Sequence, residues 1–271
     1  MKVSKRIKAI VSLIEENGLL ADIGCDHGYT CIEAVLGGKI NRALACDVNV
    51  GPLQRAAENI SALGLNDKIE TVLSNGLVEL SENPDVITIT GMGGLLIRDI
   101  LSKRPEMVMR TSQLVLGPHS EFEELRGYLN ENGLRVISET VLKDQGKFYV
   151  LFDVRPRCAE CGAEGVEDGA KCGVKRGAEC GTEGRPEYGV ELAAQGGIAS
   201  VPVYEDSLSL KYGNKALQRD MDAYMDYLKH LYTKTEKALS NALKGKRNEK
   251  TIQLERELEE LKELTNGSLY I

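Results

Sequence analysis

The chain has 271 residues, 42% of them hydrophobic, only 5% aromatic, with no Trp and a formal net charge of −7. That length suits one large domain or a domain with an appendage, and the apolar content suffices for a core. No apolar run approaches the ~20 residues of a membrane helix. Glu15 and Glu16 interrupt the segment after the basic start Met1-Lys2-Val3-Ser4-Lys5-Arg6, so a signal peptide is not expected and the cytoplasm is the expected compartment.

Residues 3–16 predict an amphipathic helix, with Val3, Ile7, Ile10, Val11 and Ile14 on one stripe. Strands and helices then alternate. Strands are expected at 19–23, 42–47, 69–73, 86–90 and 113–116, and helices at 30–36, 52–63, 95–101 and 121–132. Pro52 fits a first helical turn and Gly64 a C-terminal stop. This βαβα order predicts a parallel sheet. Residues 134–142 and 147–154 read differently, as two strands joined by Lys143-Asp144-Gln145-Gly146, a hairpin that closes the sheet antiparallel. Five parallel strands plus that hairpin describe a class I methyltransferase (Rossmann-like) α/β sheet rather than a dinucleotide-binding one.

The strand ends carry the chemistry. Ala21-Asp22-Ile23-Gly24-Cys25-Asp26-His27-Gly28-Tyr29 is a strand end followed by a glycine turn, the place where an open α/β sheet presents a nucleotide-like ligand. Glycines let the backbone come close to that ligand. The spacing is D-x-G-x-x-x-G. A dinucleotide site aims bare N–H groups at a pyrophosphate, whereas Asp22 and Asp26 would repel phosphate and suit an ammonium or sulfonium group, as in S-adenosylmethionine. Asp47, nineteen residues after Gly28, stands where an acid bonds ribose hydroxyls. Ser74-Asn75-Gly76 after the third strand can read an adenine edge, and the fourth strand runs into Gly91-Met92-Gly93-Gly94. Tyr29 fits a core position as well as a substrate platform, and Met92 fits packing better than chemistry.

The net charge divides unevenly along the chain: −3 over residues 1–157, −6 over 158–206 and +2 over 207–271. Between Lys211 and Lys250 ten basic residues face five acidic ones, and RNA responds to that local field. Of the seven cysteines, Cys25, Cys31 and Cys46 fall in or beside core elements and read as small buried hydrophobes. An odd total without secretory context argues against a disulfide framework. The other four, Cys158, Cys161, Cys172 and Cys180, lie in a Gly-rich stretch expected to be a flexible insert. With only one C-x-x-C the spacing is poor for zinc, and no metal is expected.

In the tail, Leu217, Met221, Tyr224, Leu228, Leu231, Thr235, Ala238 and Ala242 step by four and three, as do Leu254, Leu258, Leu261 and Thr265 after a polar turn. Two such seams predict an antiparallel coiled-coil hairpin. The two helices can pair with each other, which is compatible with a monomer. The expected organisation is therefore 1–157 as the S-adenosylmethionine-binding domain, 158–204 as the insert and 205–271 as the coiled-coil arm.

With these motifs in place the chain resembles the bacterial tRNA (adenine-22-N1)-methyltransferase family over residues 3–157 and 205–265. The match rests on Asp22-Ile23-Gly24-Cys25-Asp26-His27-Gly28-Tyr29, on Gly91 to Gly94 with Ile97-Arg98 behind them, and on Tyr212-Gly213. Asn75 replaces the family's usual Asp, and Gly117-Pro118-His119 replaces Gln-Pro-Asn. The resemblance implies methyl transfer from S-adenosylmethionine to N1 of adenine 22 in tRNA. On that reading Asp22, Gly24, Asp26, Gly28, Tyr29, Asp47, Asn75 and Gly76 hold the cofactor, and Asp26, His27, Gly91, Met92 and Gly93 lie near the reacting centre. The alternatives are a class I methyltransferase acting on a protein or small molecule, and a non-catalytic RNA-binding protein with a vestigial cofactor site.

Overall fold

Five apolar runs form parallel strands in a computed structural model that describes residues 3–15, 18–156, 203–245 and 247–265. They are β1 (Leu19–Ile23), β2 (Arg42–Asp47), β3 (Ile69–Leu73), β4 (Val86–Met92) and β5 (Gln113–Pro118). β6 (Leu134–Asp144) and β7 (Lys147–Pro156) make the terminal hairpin, with β7 inserted between β5 and β6 and antiparallel to both. The sheet order is β3-β2-β1-β4-β5-β7-β6. Strand order reverses between β1 and β4, so a crevice opens at their carboxyl ends, where such sheets bind ligands.

Strands β1, β2 and β5 are buried almost throughout because helices cover both faces of the sheet. Alternate residues feed two cores: Ala21, Ile23, Ile87 and Ile89 on one face, Leu20, Ala43, Ala45 and Val86 on the other. Helices α1 (Lys5–Leu13), α2 (Tyr29–Leu36), α3 (Val50–Ala62), α4 (Gly94–Ser102) and α6 (Phe122–Glu131) follow the expected order. Ser4 caps α1 by accepting the Ile7 N–H, and the extended backbone at Ile14 ends it three residues short of the expected bound. A short helix, α5 (Pro105–Arg110), was not expected; with Pro at its first position and only six residues, it is too brief to show periodicity.

The C-terminal part begins with α7 (Ser207–Tyr212), then a 3-10 turn at Lys215–Leu217, α8 (Met221–Ala242) and α9 (Glu249–Leu264). Two antiparallel helices pack as the seams imply, with Tyr224, Leu228, Leu258, Leu261 and Thr265 buried as expected but with a later start. Met221 is 43% exposed and Leu217 sits in the 3-10 turn, so the buried seam starts at Tyr224 and continues through Leu228 and Tyr232 against Thr251, Leu258 and Leu261. The first turns of α8 pack on β6, and Phe148 of β7 meets Tyr227 and His230. Tyr204, Tyr212, Tyr224 and Leu228 belong to the same core as the sheet residues Val136 and Phe152. The Cys-rich stretch, with Cys158, Cys161, Cys172 and Cys180, lies outside the described residues.

Candidate functional site

The β1 tip is built by the turn that follows it. The N–H groups of Gly24 and Cys25 both donate to the Cys46 carbonyl of β2, at 2.8 and 2.9 Å, and Gly28 N–H closes the turn on Cys25 O at 2.8 Å. Gly24 and Gly28 have φ of +76° and +71°, values that a side chain disfavours. A Cβ on Gly28 would come within 3.2 Å of Ala56, so this glycine lets α3 approach the turn. Asp26 adopts the same left-handed region (φ 50°) without being glycine, as short polar side chains tolerate.

A cavity of about 260 Å³ opens over this turn, between the tips of β1 and β4 and the first turns of α1. Asp22, Gly24, Asp26, His27, Tyr29 and Gly91 line it, and so do Arg6, Thr30 and Thr90. Asp22 is only 3% exposed. It accepts a 2.6 Å hydrogen bond from the Thr88 hydroxyl of β4 and another from Thr30. Burial pushes its carboxyl up to about 6, against the opposing effect of those hydroxyls and of the nearby Arg6 charge. Asp26 lies in a different environment. Its side chain is 65% exposed and pairs with Arg55 at 3.4 Å and His27 at 3.5 Å. The two acids expected to crowd the turn are therefore one buried carboxyl and one solvated carboxylate. His27 stacks on Tyr29, with centroids 5.3 Å apart, and its carbonyl accepts from Asn59.

The Gly91 to Gly94 turn completes the far wall. Gly91 has φ +78° and sits at a break in the β4–β5 register, so Met92 pairs with Pro118. The Met92 side chain covers Gly24, whose Cβ would fall 2.2 Å from the Met92 methyl carbon. Gly93 and Gly94 abut Ser120 and Glu121, and Gly94 N–H donates to Ser120 O at 2.9 Å. The divergent Gly117-Pro118-His119 meets this turn directly: His119 N–H donates to Met92 O at 3.0 Å, and its exposed ring lies 3.1 Å from the Ser120 hydroxyl.

A second group occupies the neighbouring β2 and β3 tips. Asp47 accepts the Asn49 N–H on Oδ1 at 2.9 Å, which leaves Oδ2 for a ligand hydroxyl. Asn75 is exposed, with its N–H given to Glu79 Oε2 at 2.7 Å. Gly76 (φ +71°) packs against Ile100 of α4. Val48, Val50 and Leu73 are 54–60% exposed around these tips, an apolar rim against which a flat ring can lie.

The donor set fits S-adenosylmethionine: a buried acid at the β1 tip, a ribose-type acid at the β2 tip, and an apolar rim between β2 and β3. Sequence reasoning missed Arg6, Thr30, Thr88 and Thr90. Thr88 and Thr90 sit inside an apolar strand, and Arg6 in a basic run that reads as solvated surface. Only the folded chain brings them to Asp22. Cys25, Cys31 and Cys46 are buried free thiols beneath the turn, and burial pushes Cys46 up to about 12, which keeps it protonated. No group of three or more potential metal ligands occurs among the described residues.

A methyltransferase-domain family model matches residues 3–152. The tRNA (adenine(22)-N(1))-methyltransferase of Bacillus subtilis is 33% identical over 153 residues, which cover 56% of this chain and 64% of the relative, so the match spans just under two thirds of that protein. A putative tRNA methyltransferase of Mycoplasma genitalium is 30% identical over 55% of this chain and 68% of its own length. Among solved structures, a putative tRNA (m1A22) methyltransferase of Streptococcus pneumoniae is 26% identical, with a TM-score of 0.71 over 97% of this chain and 100% of that one. It has also been solved in complex with S-adenosyl-L-methionine. The chain belongs to the methyltransferase-domain family and is similar to the bacterial tRNA (adenine-22-N1)-methyltransferases.

Proposed function

We propose that this chain binds S-adenosylmethionine across the β1, β2 and β3 tips and transfers its methyl group to N1 of adenine 22 in a bacterial tRNA. The observation that carries the reading is the buried Asp22 facing Gly91 across one cavity, with Asp47 on the adjacent tip. The B. subtilis relative carries that activity in its name. On this reading residues 1–157 hold the cofactor and the C-terminal helices, with exposed Lys229, Lys234, Lys237 and Lys244, meet the tRNA in the cytoplasm.

When bound, S-adenosylmethionine supplies an electrophilic methyl group on a cationic sulfur. The chain's own work is alignment and proton handling. Adenine N1 is already a lone-pair nucleophile, so no base is needed before attack, and positioning supplies most of the rate. Gly91 presents bare backbone where sulfur and base must approach each other, while the Met92 side chain shields Gly24. Methylation leaves the ring cationic, and it sheds an N6 proton afterwards. Asp26, solvated and within 3.5 Å of His27, is the acceptor in reach of the cavity mouth. The stacked His27–Tyr29 pair offers a platform for a base drawn out of the tRNA, at an unstacking cost of a few kcal/mol.

Transfer of labelled methyl to tRNA, compared with the same tRNA carrying guanine at position 22, tests the proposal. Label in the first and none in the second is expected. The Gly117-Pro118-His119 departure adjoins the Gly91–Gly94 wall and not the β2 and β3 tips, so it favours one alternative in particular: the same cofactor with a different acceptor. Cofactor binding with equal or absent labelling of both tRNAs would support that alternative.

A further inference from the structure

β7 runs antiparallel to both β5 and β6, so β6 points the same way as the parallel strands. Its hairpin turn therefore stands at the carboxyl edge of the sheet, the edge where the cavity opens. The two are tied together. Asp144 Oδ2 accepts the Arg6 N–H at 3.2 Å, and the Arg6 guanidinium lies over the Tyr149 ring, 5.3 Å from its centroid. Next to the turn Lys143 pairs with Phe148 and sets its ammonium 5.1 Å from that ring's centroid. Phe148 in turn meets Tyr227 at 5.7 Å and His230 at 5.1 Å.

Helix α8 follows β6 toward the same edge. Arg219 N–H, just before the helix, donates to Glu139 O midway along β6, and by His230 the helix has reached Phe148 beside the turn. It continues to Ala242, about 18 Å past the hairpin at the ordinary helical rise. Tyr227, His230, Lys234, Lys237 and Asn241 step by three and four, so they share the face that meets the hairpin. The seam toward α9, Tyr224, Leu228 and Tyr232, lies on the opposite side. Lys143, Lys147, His230, Lys234 and Lys237 are exposed, and none pairs with an acid among the described residues. Asp226, one turn before His230, is the acid on the flank of this face.

Resting on the tRNA reading above, we propose that the β6–β7 hairpin and this face of α8 form one RNA track leading to the cavity. Lys143, Lys234 and Lys237 take phosphates, and the His230 ring stacks on a nucleobase. Unpaired cations in a row suit a polyanion, whose release of counterions drives binding. The aromatic ring adds stacking, which any base can supply. An acidic protein surface would answer the cations but would give the exposed ring no flat partner.

The test is fluorescence anisotropy of the full chain with an unmodified tRNA transcript carrying adenine at position 22, over a range of salt. The triple variant Lys143→Gln, Lys234→Gln, Lys237→Gln is expected to bind about tenfold or more weakly. Its slope of log affinity against log salt should be shallower by about 2 to 3. His230→Ala should weaken binding about fivefold, and His230→Phe, which keeps a ring, should restore it. Lys68→Gln, at the amino end of β3, should change nothing, and S-adenosylmethionine affinity should hold in every variant. A loss from Lys68→Gln as large as that per track lysine would mark general attraction to charge and overturn the proposal. Lost cofactor affinity in the triple variant would mark a structural role and overturn it too. An unaffected His230→Ala overturns the stacked base. If the wild type methylates tRNA while the triple variant binds it as before, the track alone falls; if the wild type binds no tRNA, the proposed function falls with it.

Discussion

Arg126 of α6 and Glu139 of β6 form a two-point ion pair, with N···O distances of 2.9 and 3.1 Å, and each residue is 1% exposed. The guanidinium lies among the Phe122, Phe152 and Tyr204 rings and donates to the Leu210 and Lys211 carbonyls of α7. Glu139 accepts from the Tyr204 hydroxyl and from Gln218 at 2.8 Å. The pair is where the last helices of the chain are fastened to the sheet, because each group is satisfied by residues from both sides of the junction.

Removing one partner from such a pair leaves a buried charge, at a cost of roughly 3–5 kcal/mol. Arg126→Met alone is expected to fall in that range by urea unfolding. Adding Glu139→Gln, which removes the stranded charge and keeps oxygen and nitrogen for Tyr204 and Gln218, should recover most of the loss. Two additive penalties would contradict the coupling.

The sheet was legible because its strands are continuous apolar runs that end in Asp22, Asp47 and Gly91, a pattern covered strands cannot avoid. The acid- and glycine-bearing tips were legible for the same reason. Arg126 and Glu139 were not: a charged residue in an amphipathic helix and another in an alternating strand carry no local sign that they meet in the core. The C-terminal seam was read with the exposed Met221 at its start and without the buried Tyr232, because packing on β6 and Phe148 sets the roll of α8. Arg6 and Thr88 act through a neighbour 66 or more residues from one of their partners, which spacing along the chain cannot reveal.

Gly93 and Gly94 separate two kinds of close approach. An added Cβ at Gly93 meets the Glu121 side-chain oxygen at 2.5 Å, which can swing away; at Gly94 it meets the Glu121 backbone oxygen at 2.2 Å, which cannot. Gly94→Ala should therefore cost about 1–3 kcal/mol as overpacking against fixed backbone, while Gly93→Ala stays within about 0.5 kcal/mol. Thermal unfolding of the two variants side by side decides it, and equal shifts would mean that the turn is looser than its geometry.

Asp26→Asn removes a charge but keeps a residue type that tolerates φ near +50°. Its pairs with Arg55 and His27 are solvent-exposed and contribute little stability. Unfolding and cofactor affinity should hardly change. If Asp26 takes the N6 proton after the methyl has moved, the single-turnover transfer rate should hold while steady-state turnover falls. Unaltered turnover in both assays would reduce Asp26 to a loop residue.

Asp22 links stability to ligand binding through pH. Its folded carboxyl is raised to about 6 from an ordinary 3.8, so burial favours the neutral form. With the folded value above the unfolded one, the stabilising contribution is full below about 3.8 and is lost as pH rises through 6. The difference amounts to at most about 3 kcal/mol at neutral pH. Asp22→Asn carries no such charge, so without ligand it should be more stable than wild type at pH 7, with the gap closing toward pH 4. The same substitution should abolish tight S-adenosylmethionine binding. Wild-type affinity itself should weaken as pH falls below about 6, since an ammonium ligand needs the ionised form. A binding profile flat from pH 5 to 8 would mean that Asp22 does not face the ligand's positive charge.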